Sequence, residues 1–278
     1  MKKFIYRGSD IKLTKHLAVV MPELSYRYLM ELLRLKDVKI NGKRVSKDTI
    51  LKSGDSIEVY AREDKLIKFT PKIVFEDTKV LITHKPRSIS SEDYQDAINK
   101  YYESEYVLAH RLDTNTEGLL IFAKDVGTFD ALVIGFKAGA VIKRYLAEVN
   151  GSLNKEGILK AYLKKDSDTA TVAVFNKQVD GSEEIITEVK PILHLNNSTI
   201  VEVRLHTGKT HQIRAHLAHI KYPIVGDPKY GDYKANRSHS AKRQRLSAYK
   251  LNFNFIKSSP LFYLNEISLE TSADFYKI

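Results

Sequence analysis

The chain of 278 residues is 43% apolar, enough for one large core with room for a smaller second module, and carries a net charge of +11. It contains no cysteine, which excludes disulfides, thiolate nucleophiles and cysteine-ligated zinc or iron-sulfur sites. The excess of cations favours a polyanionic partner, while the longest apolar runs, GLLIFA and ALVIGF, fall far short of the ~18 to 20 residues that cross a bilayer. The basic start MKKFIYRGSD is not followed by the apolar stretch of an export signal, so a cytoplasmic protein without membrane association is expected.

Residues 1–62 hold 14 Lys and Arg against 7 Asp and Glu, supplying +7 of the total charge, and read as a separate module. IKLTKHLAVV is predicted as a short helix. A second helix, YRYLMELLRL, follows, with Ser25 placed to accept from its free amides and Leu29, Leu32 and Leu33 near one face. In VKINGKRVS, Asn41-Gly42 is the dipeptide of a tight hairpin, because both positions tolerate positive φ. DSIEVYA is a final alternating strand. Two short helices, a basic hairpin and the phrase INGKRVSKDTILKSGDSIEV resemble the S-four RNA-binding domain, or αL RNA-binding motif, over about residues 10–62. The resemblance implies that Lys12, Lys15, Arg27, Arg34, Lys43 and Arg44 face phosphates of a folded RNA.

EDKLIKFTP, residues 63–71, mixes charges, ends in proline and reads as a linker. Beyond it, KIVFED, KVLITHKP, YVLAHRL, GLLIFAK, VIKRYLAEVNG, ILKAYLKK, TATVAVF, EEIITEVKPIL, TIVEVRLHTG, LSAYKLNF and LNEISLE are predicted strands separated by turn residues. VGTFDALVIGFKAG and THQIRAHLAHI are predicted helices, the second stopping before Pro223. Strands without regular crossover helices predict an α+β domain over 72–278, built on a mixed, mainly antiparallel sheet.

Asp113 follows the apolar strand YVLAHRL, and a partly desolvated carboxylate needs a cation to stay charged. Arg111 shares its face if the strand continues and diverges if the chain turns. Arg214, far along the sequence near the start of a helix introduced by a Thr-Gly turn, is the other candidate, and a bidentate pair would suit it. A purely structural ion pair remains the alternative reading. In VIKRYLAEVNG, Tyr145 stands beside two cations, Lys143 and Arg144. Such a ring can stack on a base while the cations hold the backbone, or can simply be a half-buried strand tyrosine. His211, His216 and His219 lie at spacings of five and three with neither a following glutamate nor a cysteine, so no metal is expected, and His211 reads as hydrogen-bonding or phosphate-facing. No serine-hydrolase elbow, nucleotide phosphate loop or glycine-rich cofactor loop occurs. RSHSAKRQR, with Arg237, Lys242, Arg243 and Arg245, is a solvated loop or a further RNA contact.

Taken in order, these segments resemble the RluA-type pseudouridine synthase family over about residues 72–257. IVFEDTKVLITHKP resembles its opening strand pair, HRLDTNTEGLLIFAK its HRLD signature, and FDALVIGFKAGAVIKRYLAEVNG its helix and Lys-X-Tyr-X-Ala-X-Val-X-Gly strand. RLHTGKTHQIRAHLAHIKYPIVGDPKYGD is similar to its arginine-bearing helix and the Gly-Asp-X-X-Tyr-Gly beyond. The resemblance implies Asp113 as nucleophile, Arg214 as its ion-pair partner and Tyr145 stacked on the target uracil, where it can assist proton removal. It further implies that Arg111 holds the flipped nucleotide or fills its place; Lys143, Arg144, Lys209 and His211 are the expected RNA contacts beside it. The reaction detaches uracil at nitrogen 1, rotates it and rejoins it through carbon 5, which requires no cofactor. A monomer acting on large-subunit ribosomal RNA is expected, transfer RNA ranking second. An RNA-binding or ribosome-assembly factor on the same fold is the rival. The chain departs from the family pattern at Glu117, where a small residue is usual, at Lys209, where arginine is usual, and in HKPRSI, which replaces a smaller Lys-Pro-Ala-Gly.

Overall fold

The computed structural model describes the chain except residues 22, 25, 63–68, 167–170, 240, 242 and 277–278, and except the side chains of Arg27 and Ser238. The chain divides into two compact units, residues 1–70 with 100–102, and residues 71–99 with 103–278.

In the first unit, β1 (Lys2–Ile5), β2 (Ile11–Lys12), α1 (Leu13–Val20) and α2 (Tyr26–Arg34) precede β3 (Val38–Ile40), β4 (Lys43–Val45), β5 (Ile50–Leu51) and β6 (Ser56–Val59). One antiparallel sheet runs β1-β6-β3-β4, and β2 pairs with β5. Asn41 and Gly42 take φ of 50° and 78°, the left-handed pair that a two-residue hairpin between β3 and β4 demands. The helices bury Leu13, Leu17, Leu29, Leu32 and Leu33 against Val38, Ile57 and Val59. The expected cap Ser25, and 63–68 of the expected linker, lie outside the described residues.

The second unit contains β7 (Lys72–Glu76), β8 (Val80–Lys85), all but the last three residues of α3 (Ser91–Tyr102), β9 (Val107–Leu108), β10 (Glu117–Ala123), α4 (Val126–Lys137) and β11 (Val141–Asn150). After them come β12 (Gly157–Lys165), β13 (Val172–Phe175), β14 (Glu183–His194), β15 (Ser198–Leu205), α5 (Gln212–His219), α6 (Tyr233–Ser238), β16 (Leu246–Phe253), a 3₁₀ turn at Phe262–Glu266 and β17 (Ser268–Glu270). The described strands form one mixed sheet in the order β13-β12-β14-β15-β11-β16-β10-β8-β7, with β17 on β16 and β9 on β10. Every pairing is antiparallel except that of β10 with β16. This is the expected α+β, mainly antiparallel architecture.

Strand β10 is buried at all seven positions, which is why EGLLIFA is a continuous apolar run instead of an alternating one. Two predicted features differ. YVLAHRL is a strand only at Val107 and Leu108, after which the chain turns. Helix α3 was not foreseen, because its polar surface masks the period of Tyr94, Ala97 and Ile98. Ser90 caps it by accepting from the Asp93 amide, and Ser-X-X-Asp was the available signal. Helix α4 packs Leu132 against Ile82, Leu119, Ile121, Val141 and Leu251, while α5 sets Ala215 against Ala161, Leu163 and Ile185 farther along the sheet. Among the described residues no helix is long and apolar enough to cross a membrane.

Candidate active site

Between the two helices opens a cleft of about 1080 Å³ whose walls include Asp113, Lys143, Tyr145, Lys209, His211 and Arg214. Each residue arrives by a different route. Asp113 begins a tight turn closed by the Thr116 amide donating to the Asp113 carbonyl at 2.9 Å. Strand β10 then anchors the turn, and Gln244 donates at 3.0 Å to the buried Thr116 hydroxyl. Lys85, fully buried at the end of β8, donates from Nζ to the carbonyls of Pro86 at 2.9 Å, Ile89 at 2.8 Å and Thr114 at 3.4 Å. One ammonium therefore ties the 86–89 segment to the aspartate turn. Burial pushes its pKa down to about 8 against the pull of the Asp113 and Glu117 charges.

Arg214 reaches Asp113 across 101 residues of sequence, Nη1 lying 2.7 Å from Oδ2. The bidentate geometry expected of this pair belongs to another carboxylate. Nε and Nη2 of Arg214 donate to Oδ2 and Oδ1 of Asp227 at 2.7 and 2.9 Å, and the Asp227 side chain is wholly buried. Asp227 Oδ1 also accepts from the amides of Lys229 and Tyr230. Burial raises the Asp227 pKa, but the hydrogen bonds and charge of Arg214 outweigh it and leave the carboxyl below its usual value. For Arg214, burial works against the cation, yet the two carboxylates raise its pKa further. The Tyr230 ring lies under the guanidinium, 5.2 Å from Cζ. Arg214 is thus fixed by Asp227 and Tyr230 and extends one N–H to Asp113. Asp113 keeps a quarter of its side chain exposed, and its Oδ1 accepts no hydrogen bond among the described residues. Neither Asp227 nor Lys85 was picked out from the sequence, although GDPKYGD and HKP contained them.

Strand alternation places Lys143 and Tyr145 on the cleft face and turns Arg144 to the reverse, where its Nη1 donates to Glu202 at 2.9 Å. Tyr145 is 4% exposed, and burial together with the Asp113 charge raises its pKa, so the phenol stays protonated. Lys143 sits over the Phe136 ring at 5.0 Å with no carboxylate partner among the described residues, and burial pushes its pKa down to about 8. His211 takes φ of 54°, hydrogen-bonds Tyr230 through Nδ1 at 2.9 Å, and holds Nε2 3.9 Å from Asp113 Oδ2, beyond hydrogen-bonding reach. Burial is the main cause that lowers its pKa, which favours the neutral ring. Arg111 is on the cleft wall with most of its side chain exposed, and pairs with Glu92 beyond the point where the strand ends at Leu108. Lys209 lines the cleft and pairs with Glu183. Arg245 is drawn to the buried Glu148, and Lys242 is outside the described residues. In the first unit Lys12, Lys15, Arg34, Lys43 and Arg44 are exposed, Arg44 donating to the Lys36 carbonyl, while the Arg27 side chain is outside the described residues. No cluster of candidate metal ligands occurs among the described residues.

A family model described as RNA pseudouridylate synthase matches residues 73–219, over half of the chain and all of the segment that carries Asp113, Tyr145 and Arg214. The chain belongs to the RNA pseudouridylate synthase family. An uncharacterized RNA pseudouridine synthase of Mycoplasma capricolum is 30% identical, with 95% of each chain covered. Ribosomal large subunit pseudouridine synthase D of Buchnera aphidicola is 27% identical, covering 84% of this chain and 80% of that one. In three dimensions, human RNA pseudouridylate synthase domain containing 1 superposes with a TM-score of 0.64 at 21% identity over 74% of this chain and 85% of the other, a likeness of fold. The enzyme is accordingly an RNA pseudouridine synthase.

Proposed function

We propose that this synthase isomerises uridine in large-subunit ribosomal RNA, with Asp113 as the nucleophile. The observation that carries the assignment is the contact of Arg214 with Asp113 at 2.7 Å on the wall of a cleft that also presents Tyr145. Arg214 holds one carboxylate oxygen, and Oδ1 is left to meet the ribose or the base of an extruded nucleotide. The protonated Tyr145 supplies a flat, water-excluding wall for the uracil. Lys143 meets a backbone phosphate, which would replace the carboxylate partner it lacks. Extrusion costs a few kcal/mol, and cationic contacts to the backbone offset it.

The ribosomal substrate is supported by the Buchnera relative, whose name is that of a large-subunit synthase, and by the basic first unit, which we read as an S-four-like RNA-binding module in a cytoplasmic enzyme. Lys12, Lys15, Arg34, Lys43 and Arg44 are its proposed phosphate contacts. Transfer RNA is the second candidate. Incubation with large-subunit ribosomal RNA carrying tritium at uracil carbon 5 is expected to release tritium without added cofactor. Asp113→Asn is expected to abolish release and to leave RNA affinity within about threefold, because phosphate contacts dominate binding. Full activity in that variant would remove Asp113 from the role of nucleophile.

A further inference from the structure

The segment beyond β17 returns to the entrance of the aspartate turn. Asp274 receives both terminal nitrogens of Arg87, Nη2 reaching Oδ1 at 2.7 Å and Nη1 bonding Oδ2. The same Nη2 lies 2.7 Å from Oε1 of Glu117, and the Asp274 amide donates to that oxygen at 3.3 Å. The Phe275 ring lies 5.8 Å from the guanidinium carbon. Arg87 and Glu117 expose less than a tenth of their side chains. Ala273, Phe275 and Tyr276 are seated on Leu146, Ile200 and Tyr249, so the segment is anchored in the sheet independently of these polar contacts.

The two residues held this way flank the catalytic turn on both sides. Arg87 precedes Ser88, whose amide donates to the Thr114 carbonyl at 2.8 Å, and follows the 85–86 stretch clamped by the Lys85 ammonium. Glu117 is the first residue of β10, immediately after Thr116. They are also two of the places at which the chain departs from the pattern of its family, and the structure joins them in a single ion pair. A bulky cation at 87 without Glu117 and Asp274 would be a desolvated charge beside the site, and Glu117 alone would be the same with the opposite sign. Burial is the main cause raising the Glu117 pKa, and the Asp274 charge adds to it. The Arg87 charge opposes both.

We propose that the C-terminal segment sets the position of the Asp113 turn through Arg87, making Arg87 and Asp274 positioning residues of the synthase. The inference rests on Asp113 being the nucleophile. Arg87 bridges the segment to the start of β10, and the Ser88 amide carries the constraint to Thr114 in the middle of the turn. A displacement of Oδ1 by a fraction of an ångström lowers the rate of the chemical step while the cleft cations Lys143 and Lys209, which neither Arg87 nor Asp274 touches, are unaltered.

The test is single-turnover and steady-state tritium release by the full chain carrying Asp274→Asn, Arg87→Lys or Arg87→Met with Glu117→Gln, with Asp113→Asn assayed alongside. Folding of each variant is checked by thermal unfolding before assay. The expected result for Asp274→Asn is a loss of about tenfold in kcat with KM for RNA within twofold, the double variant losing more and Arg87→Lys falling between them and the parent. Unchanged kcat in folded Asp274→Asn and in the folded double variant, with Asp113→Asn inactive, would overturn the positioning role and leave the nucleophile standing. An active Asp113→Asn would overturn both. A purely structural role would lower the unfolding temperature and spare kcat, and that outcome also overturns the proposal.

Discussion

Arg214 divides its donors between a carboxylate that never meets solvent and one that faces the cleft, and the division decides what each substitution does. Removing the charge of Asp227 leaves the guanidinium without its bidentate anchor. Asp227→Asn is expected to destabilise the fold by about 3 kcal/mol, as when one partner of a buried ion pair is lost, and to lower the single-turnover rate with it. Chemical denaturation and tritium release measure the two effects separately. His216, behind Arg214 on the same helix, hydrogen-bonds Thr187 and is 1% exposed. Burial, aided by His219, pushes its pKa down to about 4 from 6.5. Because the folded value lies below the unfolded one, the unfolded chain binds the extra proton between them. Stability from this group is complete above pH 6.5 and is lost as pH falls towards 4, at up to about 1.4 kcal/mol per pH unit. His84 and His110, lowered by burial in the same way, add to the slope, so urea titrations between pH 7 and 4 should show a fall that His216→Asn reduces by one histidine's share without abolishing it.

Among the elements, the parallel contact of β10 with β16 carries the site, and it is possible only because residue 118 is glycine. Gly118 has φ of +122°, and a Cβ there would lie 2.2 Å from the Ala248 carbonyl oxygen. Gly118→Ala is therefore expected to cost about 3 kcal/mol or more and to release the aspartate turn from its anchor. A fall in the urea midpoint with loss of activity would show it, and an unaltered midpoint would contradict the close approach. At this scale the sequence was readable wherever apolar period or a continuous apolar run marked an element. It was unreadable where packing across distant strands decided the matter. The end of the YVLAHRL strand, the rotation of Arg111 towards Glu92 and the bidentate claim of Asp227 on Arg214 are all set by partners remote in sequence. Asp113 opposite Arg214, by contrast, was legible through the resemblance: a half-desolvated carboxylate calls for a cation, the residues alone left Arg111 and Arg214 as alternatives, and the family pattern selected Arg214.

For the molecule as a whole, the charge of +11 makes RNA binding a matter of counter-ion release. Each phosphate contact contributes roughly 0.7 to 0.9 to the slope of log affinity against log salt. Lys143→Gln is expected to reduce that slope by about one contact near neutral pH, whereas Asp113→Asn should not change it. Filter binding over a range of salt distinguishes the two, and equal slopes for Lys143→Gln and parent would take Lys143 away from the phosphates. The α+β class and its mainly antiparallel sheet were visible in composition and pattern. The path of the chain through the sheet was not, since pairing order depends on which edges meet in space.

That path has a temporal consequence. Strand β16 lies between β10 and β11, although more than a hundred residues separate it from the start of β10. Both neighbours are synthesised before the strand that pairs with their facing edges exists. The nascent polypeptide can therefore emerge through most of its length without a working aspartate turn, and enzymatic competence would switch on in a single late step when the middle of the sheet closes.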